Sequence, residues 1–537
     1  MMTSGYLNRN WLALGIGIVG AALFLALQGG PVSNDELKYL EVSIAPERQA
    51  FVLNRYAHIY LQAFFVHLSP DPVTGARIFW ALSGGVALAA TFLSAMLLTG
   101  SRSPLPGLAA VLMLLTQNAV FRYVGTTYAD FTVMTLVACG MAVYLLDSRH
   151  ARLTALILGG LLVLALRSKE TGVVLLALAP FFLPQAERRL GLPASFGYWF
   201  LGGVIIQAAL MTVDAFALGD FWWSLRPSSI AELLAFNVGD FEHTAGNWFA
   251  WIAMSEVAVP FACFLLTLPL LAGEAPRRLR LLAWTPFALM LFLGIAGLNG
   301  NWGIIPRYYA PVLPVICAVA AVWLYRQGLG REPLLQLFPP RLLALMGLAI
   351  TALALAGWLL RSQSSTLNLG SWTPYMLLQS LVYPLFLIAL ISVFLFVPSG
   401  AWQRRATLLV ILAGLAPMLA ALPNSLSFAN RVYTQRSYPL AAFAGQMQFR
   451  KDAKYQISPS LWLKYNMLES PERMIRVFSG VLIPFENFTL SEAWPPAPGT
   501  TYVLASVTDL ERWKSAGVDL PVLHIKGKAV LLCPSGC

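Results

Sequence analysis

The side chains able to do chemistry are few and grouped. Asp35, Glu36, Lys38, Tyr39 and Glu41 stand together after the first apolar run. Arg55 follows on the same polar stretch; Asp130, Lys169 and Arg307 each stand at the edge of a later apolar run. A carboxylate beside a hydroxyl can take or orient its proton. Ammonium and guanidinium groups at the same level can hold an oxyanion such as a phosphate. Asp35, followed at i+3 and i+4 by Lys38 and Tyr39, reads as a site carboxylate. Glu36 has two readings, catalysis or the capping box Ser33-x-x-Glu36. Asp130 either does chemistry at membrane depth or pairs with Arg122 or caps a helix. Lys169 suits phosphate binding or a solvated turn paired locally; Arg307 suits phosphate binding or interfacial snorkelling. Tyr308 and Tyr309 line a substrate or form an aromatic belt. His58 and His67 lack a zinc-type spacing and read as interface or core residues.

The composition says what must position these groups. Of 537 residues, 58% are hydrophobic and only 11% charged. Soluble proteins are roughly a quarter charged, so this is a polytopic membrane protein. Apolar runs at 11–29, 76–99, 105–122, 127–147, 151–168, 170–186, 195–217, 248–272, 281–299, 307–326, 341–360, 375–397 and 406–422 predict about thirteen spanning helices. The 11–29 run reads as a retained span, since it lacks a convincing small-residue cleavage site. The 56–68 run is short and predicts an interfacial segment.

Charge sets the sidedness. With 56–68 not crossing, Arg102, Arg149, Arg152, Arg188, Arg189, Arg277, Arg278, Arg280, Arg326, Arg331, Arg341, Arg404 and Arg405 all fall on the side of the N-terminus. The positive-inside rule then puts the N-terminus in the cytoplasm and the C-terminus outside. It also accounts for much of the +11 net charge without nucleic acid.

Residues 1–422 thus form a membrane module, with external loops at 30–75 and 218–247. In the first loop, Leu37, Leu40 and Ile44 share one face of a short amphipathic helix that Pro46 stops; it is expected to lie on the outer membrane surface. A second interfacial segment carries Tyr56, Tyr60, Ala63, Phe64 and His67 on one helical face. In the 218–247 loop, Phe221, Trp222 and Trp223 read as an interface anchor or a lid. Residues 423–537 return to ordinary polarity and predict a small extracytoplasmic α/β domain, with strands near Thr501–Ala505 and Ala529–Leu532. Cys139, Cys263 and Cys317 read as small buried hydrophobes, while Cys533 and Cys537 could pair in an oxidising compartment.

The pattern Asp35-Glu36-x-Lys38-Tyr39-x-Glu41 after the first span resembles the acidic motif of GT-C glycosyltransferases. The branch it is most similar to contains the lipid A aminoarabinose transferases and protein O-mannosyltransferases. Arg77, Lys169-Glu170-Thr171-Gly172 and Arg307-Tyr308-Tyr309-Ala-Pro311-Val-Leu-Pro314 resemble further features of that branch. The match covers roughly residues 1–330, and the span count agrees. It departs at Lys38, where the branch usually has Arg, and at Asn54-Arg55-Tyr56, where the aminoarabinose transferases have Lys-Pro-Pro.

The resemblance implies an inner-membrane enzyme that moves a sugar from a polyprenyl (undecaprenyl) phosphate to a hydroxyl of an envelope lipid, glycan or protein. It implies Asp35 as base with Glu36 and Asp130 nearby, and Asp130 in acceptor or metal contact. It implies Lys169, Arg307, Arg55 and Lys38 at the donor phosphate, with Tyr39, Tyr308 and Tyr309 lining the substrate. No cofactor is required, though a divalent cation near Asp35 and Asp130 is compatible; the chain is expected to act as a monomer without nucleic acid. A secondary transporter is the alternative, and would predict repeated halves with broken helices and mid-membrane charges.

Overall fold

A computed structural model describes residues 3–27, 34–45, 55–115, 117, 120, 128–146, 150–172, 175, 191–226, 282, 306–325, 449–459, 475–476, 479, 481, 483–491, 493–496, 498–518, 521–526 and 529–534. The predicted spans at 248–272, 341–360, 375–397 and 406–422 lie outside these residues, as do nearly all of 281–299 and most of 170–186.

The described helices of the membrane part are α1 (Thr3–Leu27), α2 (Asn34–Ile44), α3 (Tyr56–Leu68), α4 (Pro72–Thr99), α5 (Leu105–Leu115), α6 (Ala129–Leu145), α7 (Ala151–Ser168), α8 (Leu192–Leu218) and α9 (Leu313–Leu324). Among the described residues, α1, α4, α7 and α8 are long and apolar enough to cross a membrane. α5 is described as a helix over Leu105–Leu115, within the predicted 105–122. α4 begins where local chemistry says it should: Asp71 accepts from the Thr74 amide at 2.8 Å and Pro72 opens the helix. α9 follows a 3-10 segment, Pro306–Val312, and is apolar all round. Such a helix must be buried on every side, and Leu313, Ile316, Ala320 and Val322 are fully enclosed by the main apolar core.

α7 and α8 cross closely because two glycines meet there. A Cβ at Gly159 would run into the Trp199 carbonyl, and one at Gly202 into the Leu156 carbonyl. Small residues at such a crossing let backbones approach where no hydrophobic drive exists between helices in lipid.

The C-terminal part holds a five-stranded sheet, β1 (Tyr455–Ile457), β2 (Phe488–Leu490), β3 (Tyr502–Ser506), β4 (Val522–Lys526) and β5 (Ala529–Leu532), in the order β2-β1-β3-β5-β4. β1 runs parallel to β2 and β3, and the other pairs are antiparallel. Register aligns Tyr455 with Phe488 on one side and Tyr502 on the other, so three rings form a row across the sheet. Alternation then sorts the two faces. Val503, Ala505, Val530 and Leu532 pack on Leu510 and Trp513 of α10 (Val507–Ser515). Tyr455, Ile457, Leu504 and Leu531 pack the other way, against α2. Cys533, after β5, is disulfide-bonded; Cys139 and Cys317 are thiols outside any disulfide, and Gln117 Nε2 donates to Cys317 Sγ at 3.7 Å.

One expectation about the first loop changes. Leu37 and Leu40 do share a face, but it is covered by the C-terminal sheet, while Tyr39 and Val42 pack on α3. α2 is therefore sandwiched rather than laid on the membrane surface; contacts from the far end of the chain decide this, and its own amphipathic pattern could not report them. On α3 the buried residues are Tyr56, Ala57, His58, Ile59, Gln62 and Val66, whereas Phe64 and His67 are exposed. The face through Tyr56, Tyr60, Ala63, Phe64 and His67 therefore runs from buried at Tyr56 to exposed at His67, with α3 packed on α2, α4 and α7. Ser33 lies outside the described residues. A capping box does occur at Ser506 and Asp509, at the start of α10.

Candidate active site

Asp35 and Glu36 stand in the first turn of α2, and their side chains lie outside the described ones. The rest of the helix shows how that turn is held. The Ser43 hydroxyl donates to the Tyr39 carbonyl at 2.7 Å and to the Ile59 carbonyl of α3 at 3.3 Å. The Arg55 guanidinium lies over the Tyr39 ring, 5.2 Å from its centre, and the His58 ring meets Tyr39 edge-on at 5.2 Å. His58 Nδ1 in turn pairs with Thr132 Oγ1 at 2.8 Å. A connected set of side chains therefore ties α2 to α3 and α3 to α6, with His58 as the buried core residue the sequence suggested. Lys38 is half-buried on α2.

Asp130 stands in the first turn of α6, and Lys169 at the C-cap of α7. α6 and α7 pack side by side, and the start of one meets the end of the other. Lys169 Nζ reaches Asp130 Oδ2 at 2.7 Å, with side chains 1% and 0% exposed. The sequence offered Arg122 as a structural partner for Asp130 and gave Lys169 a separate task. The geometry joins Asp130 to Lys169, and Arg122 lies outside the described residues. This pairing was readable: a hairpin of two spans places the start of one and the end of the next on one side of the membrane.

Arg307 and Tyr308 belong to the 3-10 segment Pro306–Val312, and their side chains lie outside the described ones. That segment packs against α6 and the 170–172 turn, which brings it to the level of Lys169. Tyr309 is buried in the apolar core. Arg55, Tyr39 and His58 are thus gathered in one place and Asp130 with Lys169 in another, joined through α6. Among the described residues no group of three or more His, Cys, Asp and Glu side chains gathers to hold a metal ion.

A second polar cluster escaped the sequence reading. Tyr60 of α3 donates to Asp214 Oδ1 of α8 at 2.5 Å. Arg167 Nε donates to Gln207 Oε1 at 3.0 Å, and Gln207 Nε2 to Ser224 Oγ at 3.1 Å. Burial first, and then the Asp214 carboxylate, hold the Tyr60 phenol far above its ordinary range. The signal was present: Gln207 and Asp214 interrupt the apolar run 195–217, and an ionisable group inside a span is a functional candidate by default. Ser224 lies in the short 3-10 turn after α8, next to Trp223, which packs with Tyr39, Tyr56 and Leu218. The aromatic turn 221–226 is therefore rooted in the protein by this cluster. The remainder of the 218–247 loop, 227–247, lies outside the described residues.

Comparison with known proteins places the fold. The chain matches no family model and no curated protein. Among solved structures it is similar to ArnT from Cupriavidus metallidurans in the apo state, at 14% identity and a TM-score of 0.59 over 98% of both chains. The crystal structure of the same ArnT bound to undecaprenyl phosphate gives 14% identity and a TM-score of 0.56 over 99% of both chains. The arabinosyltransferase EmbB from Mycobacterium smegmatis gives 15% identity and a TM-score of 0.45, over 81% of this chain and 42% of its own. ArnT is an aminoarabinose transferase of the GT-C type. The chain is a multi-pass membrane protein with the GT-C fold.

Proposed function

We propose that this protein is an inverting glycosyltransferase that takes a sugar from a polyprenyl-phosphate donor and places it on a hydroxyl of an envelope acceptor at the outer face of the inner membrane. The observation that carries the reading is the end-to-end likeness to an ArnT that holds undecaprenyl phosphate. The site supports it: the helix bearing Asp35 is braced by Arg55, Tyr39 and His58, which connect it to the helix bearing Asp130. In this reading the acceptor oxygen attacks the anomeric carbon from the face opposite the phosphate. Its proton goes to Asp35, the bond from that carbon to the phosphate oxygen breaks, and the polyprenyl phosphate departs with the electron pair. A single carboxylate suffices for this one-step displacement, with Glu36 beside it. Lys169 and Arg307, with Arg55 and Lys38, supply the positive field for the leaving phosphate. Asp130 holds the Lys169 ammonium in place through the 2.7 Å ion pair. Tyr39, Tyr308 and Tyr309 shape the walls. The N-terminus is cytoplasmic and the C-terminal α/β domain, 423–537, lies outside.

The test uses purified protein with radiolabelled polyprenyl-phosphate sugar and native membranes as acceptor. Label should pass to lipid, glycan or protein, and Asp35→Asn should lower the rate by about 100-fold or more. Transfer that survives Asp35→Asn unchanged removes the base assignment. Label that crosses the membrane without forming a new bond supports the transporter reading instead.

A further inference from the structure

The C-terminal sheet has no task in the chemistry above, yet it is fastened to the helix that carries Asp35. Arg476 Nε lies 2.9 Å from Glu41 Oε1, and the two side chains are 4% and 6% exposed. Around them, Leu37 and Leu40 of α2, Val66 of α3 and Ala76 of α4 form one apolar cluster with Tyr455, Ile457, Ile475, Ile483, Leu504 and Leu531. The apolar cluster alone accounts for adhesion. A buried ion pair adds little to adhesion, since desolvating both charges offsets most of their attraction. What it adds is direction: a guanidinium meets a carboxylate in few orientations, and a rotated or shifted helix would leave both charges buried and unmatched. Glu41 stands six residues beyond Asp35, about 9 Å along the helix axis, so a pin at Glu41 fixes the register of the turn that holds Asp35.

We propose that Arg476 is a positioning residue for this site: the C-terminal α/β unit is the outer clamp of α2, and it acts on the reaction through Glu41. The proposal rests on the transferase reading of α2. Its prediction differs from that of a merely structural contact, because misplacing a base slows the chemical step without weakening donor binding.

The experiment compares the full-length protein with Arg476→Ala, Arg476→Lys and Glu41→Gln, using two readouts. In steady-state transfer, Arg476→Ala and Glu41→Gln should lower kcat by about 10-fold or more while KM for the donor stays within about 2-fold; Arg476→Lys should recover part of the loss. In hydrogen exchange, amides of 34–44 should lose protection in Arg476→Ala while those of α10 keep theirs, which shows that the C-terminal sheet remains folded. Wild-type kcat together with wild-type protection of 34–44 in both Arg476→Ala and Glu41→Gln would overturn the proposal. If Arg476→Ala unfolds α10 as well, Glu41→Gln alone decides, since it leaves the C-terminal unit's own residues untouched. Loosened 34–44 amides in a protein whose transfer ignores Asp35→Asn would uphold the clamp and overturn the transferase reading.

Discussion

Two buried ion pairs flank the candidate site, and they are built in opposite ways. Asp130 and Lys169 belong to neighbouring helices of one hairpin, 39 residues apart, and are closed off within the helix bundle. Glu41 and Arg476 come from opposite ends of the chain and meet where the first loop touches the C-terminal sheet. The first pair follows from local connectivity: once α6 and α7 are adjacent, their ends on one side of the membrane face each other. The second exists only after two separately formed parts have docked. The difference teaches that burial alone does not give a charge pair its role. A pair inside one hairpin sets the electrostatics at its own position, whereas a pair between distant parts sets the position of something else.

Removing one partner probes this contrast most severely at the hairpin. Lys169→Met leaves a carboxylate buried without its cation, and should cost about 3–5 kcal/mol and abolish transfer. Thermal unfolding in detergent with a transfer assay checks both. Adding Asp130→Asn should restore most of the stability and none of the activity; restored activity would make this pair scaffolding and break the comparison. At the docking pair, Glu41→Gln and Arg476→Ala should each destabilise the interface, and a double-mutant cycle should give a coupling of about 1–3 kcal/mol. A coupling near zero would remove the ion pair as a specific link.

Smaller changes sharpen the picture. Gly202→Ala forces apart α7 and α8, which carry Arg167 and Asp214, and should cost about 1–3 kcal/mol by overpacking. Tyr60→Phe removes the donor to Asp214 and should cost about 1–2 kcal/mol, read from the unfolding midpoint. Ser506→Ala removes the cap of α10. It should cost about 1 kcal/mol in C-terminal stability and leave transfer rates unchanged.

Local features were the most legible in the sequence. The predicted run 151–168 is observed as Ala151–Ser168, the run 195–217 as Leu192–Leu218, and the short run 56–68 as a helix of that extent. The strand expected at Ala529–Leu532 is observed at those residues. Hydrophobic runs and turn residues are properties of adjacent positions, so the chain displays them directly. Partners are properties of the packed molecule. The sequence offers Arg122 as one structural partner for Asp130; the contact with Lys169 comes from the packing of α6 beside α7, and Arg122 lies outside the described residues. The face of α2 through Leu37 and Leu40 is legible as one stripe, yet an apolar stripe records that it will be covered and not by what; here the C-terminal sheet covers it. Asp214 is hard to see in sequence because a single acid in a long apolar run scarcely lowers its mean hydropathy.

The sandwich around α2 also imposes an order in time. Glu41 emerges from the ribosome long before Arg476, so α2 and its carboxylates are made early and secured late. Until the C-terminal sheet folds and docks, the newly inserted membrane part holds an acidic first loop with its anchoring cation still to come. In the proposed transferase reading, a nascent chain halted before Arg476 would therefore carry α2 without its clamp, and transfer would reach its full rate only once the C-terminal sheet settles against that helix.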